Sequence, residues 1–202
     1  MNSALSFWTI TFAIAVGAVS PGPSFIMVAK TAMAVGRRQA LLTAVGMGLA
    51  GALYAALAVF GLAALLLAAG PVFIALRVLG ASYLAYIGVT MIMGAKRPLP
   101  IADTQASPTS GLFGGFKTQA SNPKTVVVYA SVFASLLPHS PEPWLFAALP
   151  ATIGMVEGGW YVLVAILFST ARASATYAKA KPLIDRIAGA LMIALAIKLA
   201  LG

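Results

Sequence analysis

The stretch from Asn2 to Ala29 contains no ionisable side chain. About 20 apolar residues are enough to cross the hydrocarbon core of a bilayer as a helix, so this stretch predicts a membrane span. The same test predicts six spans, at residues 5–29, 40–69, 72–95, 112–137, 144–170 and 183–201. The sixth is short and carries Lys198 near its end, which leaves five spans and a peripheral tail as an alternative. We therefore predict an all-α polytopic membrane protein that forms a single transmembrane domain over residues 1–202.

Composition excludes several other classes of protein. Hydrophobic residues make up 61% of the chain and charged residues 8%, against roughly a half and roughly a quarter in a water-soluble domain. The chain has no cysteine, which excludes disulfides and thiol chemistry, and its one histidine, His139, argues against a metal site. It carries no ATP-binding signature and no nucleophile elbow. We expect no enzyme and no cofactor, with energy drawn from an ion gradient or a partner.

The positive charges predict how the chain is oriented. The net charge is +9, yet the basic residues cluster in alternate loops rather than in a nucleic-acid-binding patch. The loops after the first, third and fifth spans hold Lys30, Arg37, Arg38; Lys96, Arg97; and Arg172, Lys179, Lys181, Arg186. The loops near Gly70 and Pro138 hold no Lys or Arg. By the positive-inside rule, the odd-numbered loops face the cytoplasm of a bacterial inner membrane, and both termini face the periplasm or exterior.

The first segment does not have the pattern of a removed signal peptide. Its n-region, MNSALSF, has no positive charge, its apolar run is too long for an h-region, and a proline-rich stretch stands where a cleavage site would lie. We expect it to stay as a span, with Trp8 and Trp144 at the outer membrane interface.

Two similar proline-containing stretches lie near the middle of the first and fourth spans. They read AVSPGPSFIMVA, residues 18–29, and QASNPKTVVVYA, residues 119–130. Each half of the chain contains three spans, an odd number, so the second half enters the membrane from the opposite side. This predicts two inverted three-helix repeats with broken first and fourth helices: repeat 1 over about 1–95, a cytoplasmic connector over about 96–110, and repeat 2 over about 111–202.

Further motifs accompany these two stretches. They are SPGP in the first span, GMGLAG in the second, LGASYLAYIG in the third, SNPK in the fourth, and Glu157 three residues before Trp160 in the fifth. In the order and spacing of these motifs the chain resembles the lysine exporter and homoserine/threonine resistance (LysE/RhtB) family of amino-acid exporters. The resemblance covers essentially the whole chain. It implies export of amino acids or related small metabolites, driven by the proton gradient.

Two other functions stay open at this point. The first is efflux of a metal ion or other toxic solute, for which we would expect clusters of His, Asp or Glu within the spans. The second is a membrane assembly subunit that transports nothing itself. Such a subunit would leave the broken helices and the charges near the bilayer centre without an explanation.

Five residues of the two breaks are predicted to line a binding cavity: Pro21, Gly22, Pro23, Asn122 and Pro123. Prolines remove backbone donors and glycine relaxes φ, so each break frees polar backbone groups that hydrocarbon cannot satisfy. Such backbone persists only where it is buried in protein or lines a wet cavity. The half-helix that restarts near Ser24 would point its N–H groups at a substrate carboxylate. The alternative is a plain proline kink that assists packing.

Lys124 and Glu157 are charged residues near the bilayer centre. Each lies about thirteen residues into its span, or ~20 Å at about 1.5 Å of rise per residue. An ionised group there costs about 2.5–3.5 kcal/mol, so it should face the bundle interior. The two could neutralise one another, or could hold the two ends of a zwitterion, with Glu157 taking the ammonium or a proton. Trp160, at i+3 from Glu157, could stack over the ammonium or only pack.

The second span is rich in small residues, with Ala44, Gly48 and Ala52 at i, i+4 and i+8. This pattern indicates close helix packing, either within the chain or in a homodimer. One deep acid and one deep base suit a neutral zwitterion better than a dibasic amino acid, whose second cation would want a second carboxylate. The predicted partners are an amino acid, protons and the lipid bilayer, with no nucleic acid.

Overall fold

The computed structural model describes residues 2–66, 70–98, 111–138 and 140–201. These residues form eight helices and no strand, which confirms the all-α prediction. The helices are α1 Ser3–Val19, α2 Pro23–Ala34, α3 Arg37–Leu66, α4 Gly70–Gly94, α5 Leu112–Ala120, α6 Pro123–Leu136, α7 Leu145–Phe168 and α8 Ala171–Leu201. His139 and most of the predicted connector, residues 99–110, lie outside the described residues.

Several of these helices are long and apolar enough to cross a membrane. α7 and the Arg37–Gly61 part of α3 qualify alone, and α1 with α2 qualifies as one span bent by 55°. The Val78–Gly94 part of α4 and the whole of α6 are shorter apolar helices. The chain is therefore a multi-pass membrane protein, and the count of six spans stays a prediction.

Large apolar side chains on the outside of the bundle agree with a lipid environment. Examples that are at least half exposed are Leu5, Trp8, Phe12, Leu57, Phe60, Val78, Leu79, Phe113 and Met155. A water-soluble protein seldom exposes so many, whereas in a bilayer these side chains contact acyl chains as apolar as themselves. Inside, one buried cluster surrounds Ile14, Leu84 and Phe133, and a second surrounds Phe25 and Phe168.

The first and fourth predicted spans are interrupted at the prolines that the sequence singles out. α1 ends at Val19, Ser20 and Gly22 are extended, and Pro23 is the first residue of α2. α5 ends at Ala120, and Pro123 is the first residue of α6. A proline fits this position because its fixed φ suits the helix and the first N–H has no intrahelical acceptor anyway.

Glycines allow the central helices to pack closely. A Cβ at Gly48 of α3 would lie 2.7 Å from the Gly154 carbonyl oxygen of α7, and one at Gly88 of α4 would lie 2.6 Å from the Gly189 carbonyl oxygen of α8. Backbones this close leave no room for a side chain, so the prediction of close packing by small residues is confirmed. Because these glycines pack within the chain, they give no support to a homodimer, which stays a prediction.

The region between the fifth and sixth spans differs from the prediction. The sequence places Arg172, Lys179, Lys181 and Arg186 in a loop, but all four lie on the single helix α8. α8 continues past Pro182 because the loss of one backbone hydrogen bond is outweighed by a continuous buried face. That face begins with Tyr177, Lys181 and Asp185, at i, i+4 and i+8. A polar stretch that looked like a loop is therefore the start of an amphipathic helix.

Candidate substrate site between two broken helices

A small cavity, called here the inner cavity, lies where the two helix breaks meet α7. Its lining includes Ser20, Gly22, Ser24 and Phe25 from the first break, Gln119, Asn122, Lys124, Thr125 and Tyr129 from the second, and Glu157 and Tyr161 from α7. Its volume is about 20 Å³, which is room for about one water molecule. In this conformation the inner cavity is a very small space lined by polar side chains together with apolar ones.

A chain of hydrogen bonds connects both breaks to the carboxylate of Glu157. Asn122 Nδ2 donates to Ser24 Oγ at 3.0 Å, and the Ser24 hydroxyl donates to Gln119 Oε1 at 2.5 Å. Gln119 Nε2 in turn donates to Glu157 Oε2 at 2.8 Å. Because all four side chains are buried, a rearrangement at the carboxylate changes the hydrogen bonding of both breaks.

Glu157 lies in the middle of α7 and is 3% exposed. Gly51 of α3 makes room for it, since a methyl group at that position would overlap Glu157 Oε2 and touch the Tyr129 hydroxyl. Within the described residues, no Lys, Arg or His nitrogen comes within ion-pair distance of Glu157. The carboxylate is thus held by neutral partners, and an ionised form there would lack a contacting cation.

Lys124 binds backbone rather than Glu157. Its Nζ donates to the carbonyl oxygens of Gly17 at 3.0 Å and Ser20 at 3.2 Å. These carbonyls end α1, where the break leaves them without intrahelical partners. Lys124 and Glu157 therefore do not form a direct ion pair, and the suggestion that they neutralise one another in this way is wrong. The Lys124 ammonium instead binds carbonyl oxygens at the end of α1.

The two half-helices that restart after the breaks begin differently. Gly22, the N-cap of α2, provides no side-chain hydrogen bond, so the first turn of α2 has no side-chain cap. Asn122, the N-cap of α6, accepts a hydrogen bond from the Lys124 backbone N–H through its own side chain at 3.0 Å. The uncapped end of α2 contributes Gly22, Ser24 and Phe25 to the inner cavity.

The structure brings some of the predicted site residues together and places others elsewhere. Gly22, Asn122, Lys124 and Glu157 line the inner cavity. The exposed residues Pro23 and Pro123 only begin helices, and Pro21 lines a second, larger cavity.

Trp160 does not line the inner cavity. It packs against the cluster around Phe25 and Phe168, and its indole N–H has no hydrogen-bond partner in the part of the chain that the structure describes. Its neighbour Tyr161, at i+4 from Glu157, is buried and lines the cavity instead. The i+3 and i+4 positions both neighbour a helical residue, and sequence spacing does not distinguish them.

Sequence reasoning missed six polar residues of the site: Ser20, Ser24, Gln119, Thr125, Tyr129 and Tyr161. The sequence prediction was based on prolines and charged residues, whereas these side chains are uncharged. A signal existed for Gln119, because an amide in an apolar span needs a partner. Within the described residues, no three His, Asp or Glu side chains come together as a metal site.

A second cavity, called here the outer cavity, opens beside the first and has a volume of about 450 Å³. It lies between the first break, α4 and α8, and shares Ser20 and Lys124 with the inner cavity. Its wall contains the buried ion pair of Lys181 and Asp185, whose Nζ and Oδ2 atoms are 2.7 Å apart. Among the described residues this is the one ion pair within 4.0 Å.

Known proteins resemble this chain over most of its length. The family described as LysE type translocator matches residues 15–202. The threonine efflux protein of Escherichia coli K12 is 28% identical over 96% of both chains. The leucine efflux protein of Enterobacter sp. strain 638 is 30% identical over 66% of this chain and 64% of that protein. YahN, an uncharacterized membrane protein of Escherichia coli K12, is 29% identical over 89% of this chain and 82% of that protein. No solved structure matches.

Proposed function

Because the chain belongs to the LysE type translocator family, we propose that it exports amino acids or related small metabolites across the bacterial inner membrane in exchange for protons. The relatives named for threonine and leucine efflux support the substrate class. The observation that carries the proposal is the hydrogen-bond chain from Asn122 through Ser24 and Gln119 to Glu157. It couples one buried carboxylate to the two helix breaks that would have to move for a substrate to pass.

The inner cavity has complementary groups for the two ends of a zwitterion. The uncapped first turn of α2 presents N–H groups and the positive end of a helix dipole, which suit a carboxylate. The Lys124 ammonium lies beside it, and the Glu157 carboxylate suits the substrate ammonium. Pro21, Pro23 and Pro123 contribute by holding the breaks open rather than by contact. Since the cavity now has room for about one water, the substrate enters only when the breaks move apart.

Proton coupling follows from competition for Glu157. A carboxylate away from water is costly when ionised, so it either takes up a proton or binds a cation. If proton and substrate ammonium exclude one another at Glu157, binding of one releases the other, and the fluxes are linked by thermodynamic necessity. The neutral partner Gln119 suits both forms, because it donates to one carboxylate oxygen and leaves the other available to a proton.

We also infer a single transmembrane domain of two inverted three-helix repeats. The inference is supported by the similar breaks in the first and fourth spans and by the pairing of helices across the halves. α3 packs on α7 and α4 packs on α8, so each helix contacts the one at the same place in the other half. An approximate two-fold axis in the membrane plane produces such a pattern.

The orientation is tested with single cysteines, since the natural chain has none. Cysteine is placed at Arg38, at the start of α3, or at Glu142, before α7; both positions are exposed. With both termini outside, an impermeant reagent should label the Glu142 variant in intact cells and reach the Arg38 variant only after lysis. Labelling of both from outside would refute the inverted arrangement.

The transport function is tested by efflux from proteoliposomes loaded with labelled amino acids, with and without a proton gradient. Glu157→Gln keeps the shape and the bond from Gln119 but cannot titrate, so we expect gradient-driven efflux to stop while insertion is unchanged. Glu142→Gln is the matched control, because it removes an exposed carboxylate outside the cavity. Gradient-driven efflux that survives in the Glu157 variant would remove this residue from the coupling.

The same assay distinguishes amino-acid export from the two alternative functions. A metal or toxic-solute exporter would move none of the amino acids, and the absence of a metal cluster in the described residues does not favour it. A non-transporting assembly subunit would show no flux of any tested solute.

A further inference from the structure

The outer cavity contains a buried ion pair whose hydrogen bonding is incomplete. Lys181 Nζ donates to the carbonyl oxygens of Gly94 at 3.3 Å and Ala95 at 3.2 Å, and to Asp185 Oδ2 at 2.7 Å. The ammonium has therefore used all three of its protons. It also satisfies carbonyls at the C-terminal end of α4, which lack intrahelical partners.

Asp185 has one oxygen left over. The residue is 4% exposed, and its Oδ1 has no hydrogen-bond partner among the residues that the structure describes, although a buried carboxylate oxygen normally accepts at least one. Lys181, the one cation in contact with Asp185 among the described residues, is bound to the other oxygen. A structural ion pair alone would not need to face a cavity with an unsatisfied acceptor, so this oxygen indicates a missing donor.

We propose that the outer cavity is a second binding site, at which Asp185 Oδ1 accepts a hydrogen bond from the primary ammonium of an amino acid. This second site would bind the transported substrate outside the inner cavity. The proposal therefore rests on the proposed function. Arg97, exposed and lining the same cavity, provides a cation for the carboxylate of that amino acid. Tyr83 and Thr90 add hydroxyl groups to the wall.

The chemistry of the free atom selects this ligand over an anion. A carboxylate oxygen accepts hydrogen bonds and repels phosphate, so a lipid phosphate or free phosphate would leave it unsatisfied. An ammonium donates up to three hydrogen bonds, one of which this oxygen can accept. The volume also fits, since about 450 Å³ falls within the range of roughly 300–1,000 Å³ typical of small-molecule pockets.

The two cavities are neighbours that share part of their lining. Lys124 and Ser20 line both, and the Lys124 ammonium is held by the end of α1. A substrate in the outer cavity therefore lies next to the residue that must release Gly17 and Ser20 before the inner cavity can widen. The substrate carboxylate would compete with those carbonyls for the Lys124 ammonium. This competition would allow the substrate to pass from the outer cavity into the inner cavity.

The test compares the wild type with the double variant Lys181→Gln/Asp185→Asn. This variant removes both charges together, so neither is left buried and unpaired, and the two amides can still bond to one another. L-threonine and L-leucine serve as probes, in equilibrium binding to purified protein and in proteoliposome efflux. We expect the half-saturating concentration to rise about tenfold or more, with the maximal efflux rate largely retained. Arg186→Gln, an exposed charge next to Asp185, should change neither value.

A second variant keeps the test decisive if the double variant does not fold. Arg97→Gln alters only an exposed side chain and should weaken binding of both probes while leaving the thermal unfolding midpoint unchanged. As a chemical counterpart, the α-hydroxy analogue of leucine, which lacks the ammonium, should compete more weakly than leucine for the wild type, and this difference should be smaller for the double variant, in which only the ammonium contact with Glu157 remains.

The outcomes separate this proposal from the function itself. Unchanged half-saturation in the double variant, with a lowered unfolding midpoint, would make the pair purely structural and overturn the second site. If the wild type exports neither probe, the proposed function fails, and the binding measurement still decides whether the outer cavity recognises an ammonium.

Discussion

The break between α1 and α2 and the break between α5 and α6 both place a proline at the first position of the restarting helix, but different groups satisfy their backbone. At the second break, Asn122 caps its own helix, and the uncharged hydroxyl of Tyr54, from α3 in the other half of the chain, donates to the Ala120 carbonyl oxygen. The first break has no side-chain cap at its restart, and its free carbonyls are bound by Lys124 from the other half of the chain.

This difference indicates separate roles for the two breaks. A break that is capped by an uncharged side chain at its own N-terminus can keep its shape through a transport cycle. A break held by one mobile ammonium can open when that ammonium finds another partner, such as a substrate carboxylate. We therefore expect the first break to be the moving part and the second to be the support against which it moves.

The largest effect should come from rebuilding a continuous helix across the first break. Replacing Pro21, Gly22 and Pro23 together by alanine restores donors and helix propensity, and a Cβ at Gly22 has room, 3.6 Å from Lys124 Cδ. Amino-acid efflux from proteoliposomes should fall to the level of empty vesicles while the protein still inserts. Efflux at the parental rate would mean that this break serves packing alone.

The next largest effect should follow from Lys124→Met, which keeps the length of the side chain but removes the ammonium. Two carbonyls of α1 lose a charged donor, so the free energy of unfolding in detergent should fall by roughly 1.5–3 kcal/mol, and substrate binding should weaken. Thermal unfolding and equilibrium binding measure the two effects. Lys117→Met, at an exposed position of α5, is the matched control. Equal stability of the two variants would show that the first break does not depend on Lys124.

A smaller effect is expected at the second break from Asn122→Ala. Loss of the cap should cost about 1 kcal/mol, and efflux should be reduced rather than abolished. Asn122→Asp separates the two functions of this side chain, because a carboxylate still accepts from the Lys124 N–H but cannot donate to Ser24. If efflux falls as far in the Asp variant as in the Ala variant, the hydrogen bond to Ser24 matters more than the cap.

The smallest effect should come from Pro123→Ala. This proline is exposed and occupies the first position of α6, where alanine is also accommodated, so stability should change by less than about 0.5 kcal/mol. Efflux should stay near the parental rate. A large loss here would contradict the view of the second break as a locally capped support.

The parts of this architecture that local chemistry controls could be predicted from the sequence. Pro23 and Pro123 mark the restarts of two helices because a proline acts on its own backbone and that of its neighbours. The deep carboxylate of Glu157 could be identified because it is the one acidic residue near the middle of a predicted span, whereas Asp185 stands at the beginning of its span. Neither feature requires knowing which helices contact one another in order to be predicted.

The features that depend on tertiary packing could not be predicted from the sequence. Lys124 was paired with Glu157 in the prediction because opposite charges attract, yet the unsatisfied carbonyls of α1 lie within its reach. Gln119 and Tyr161 became site residues only when α5 and α7 met at the breaks. The Lys181–Asp185 pair was hidden by its polar surroundings, which resembled a loop until α8 turned one face inward.

The bond from Lys124 to the end of α1 has a consequence for how the protein is made. Ser20 and Lys124 are 104 residues apart, which a ribosome needs roughly 5–20 s to cover at about 5–20 residues per second. Throughout that interval the nascent first helix has carbonyls whose final donor has not been synthesised. Water or the insertion machinery must donate hydrogen bonds to these carbonyls in the meantime. The N-terminal helix therefore cannot reach its final structure in the bilayer until the fourth predicted span has emerged.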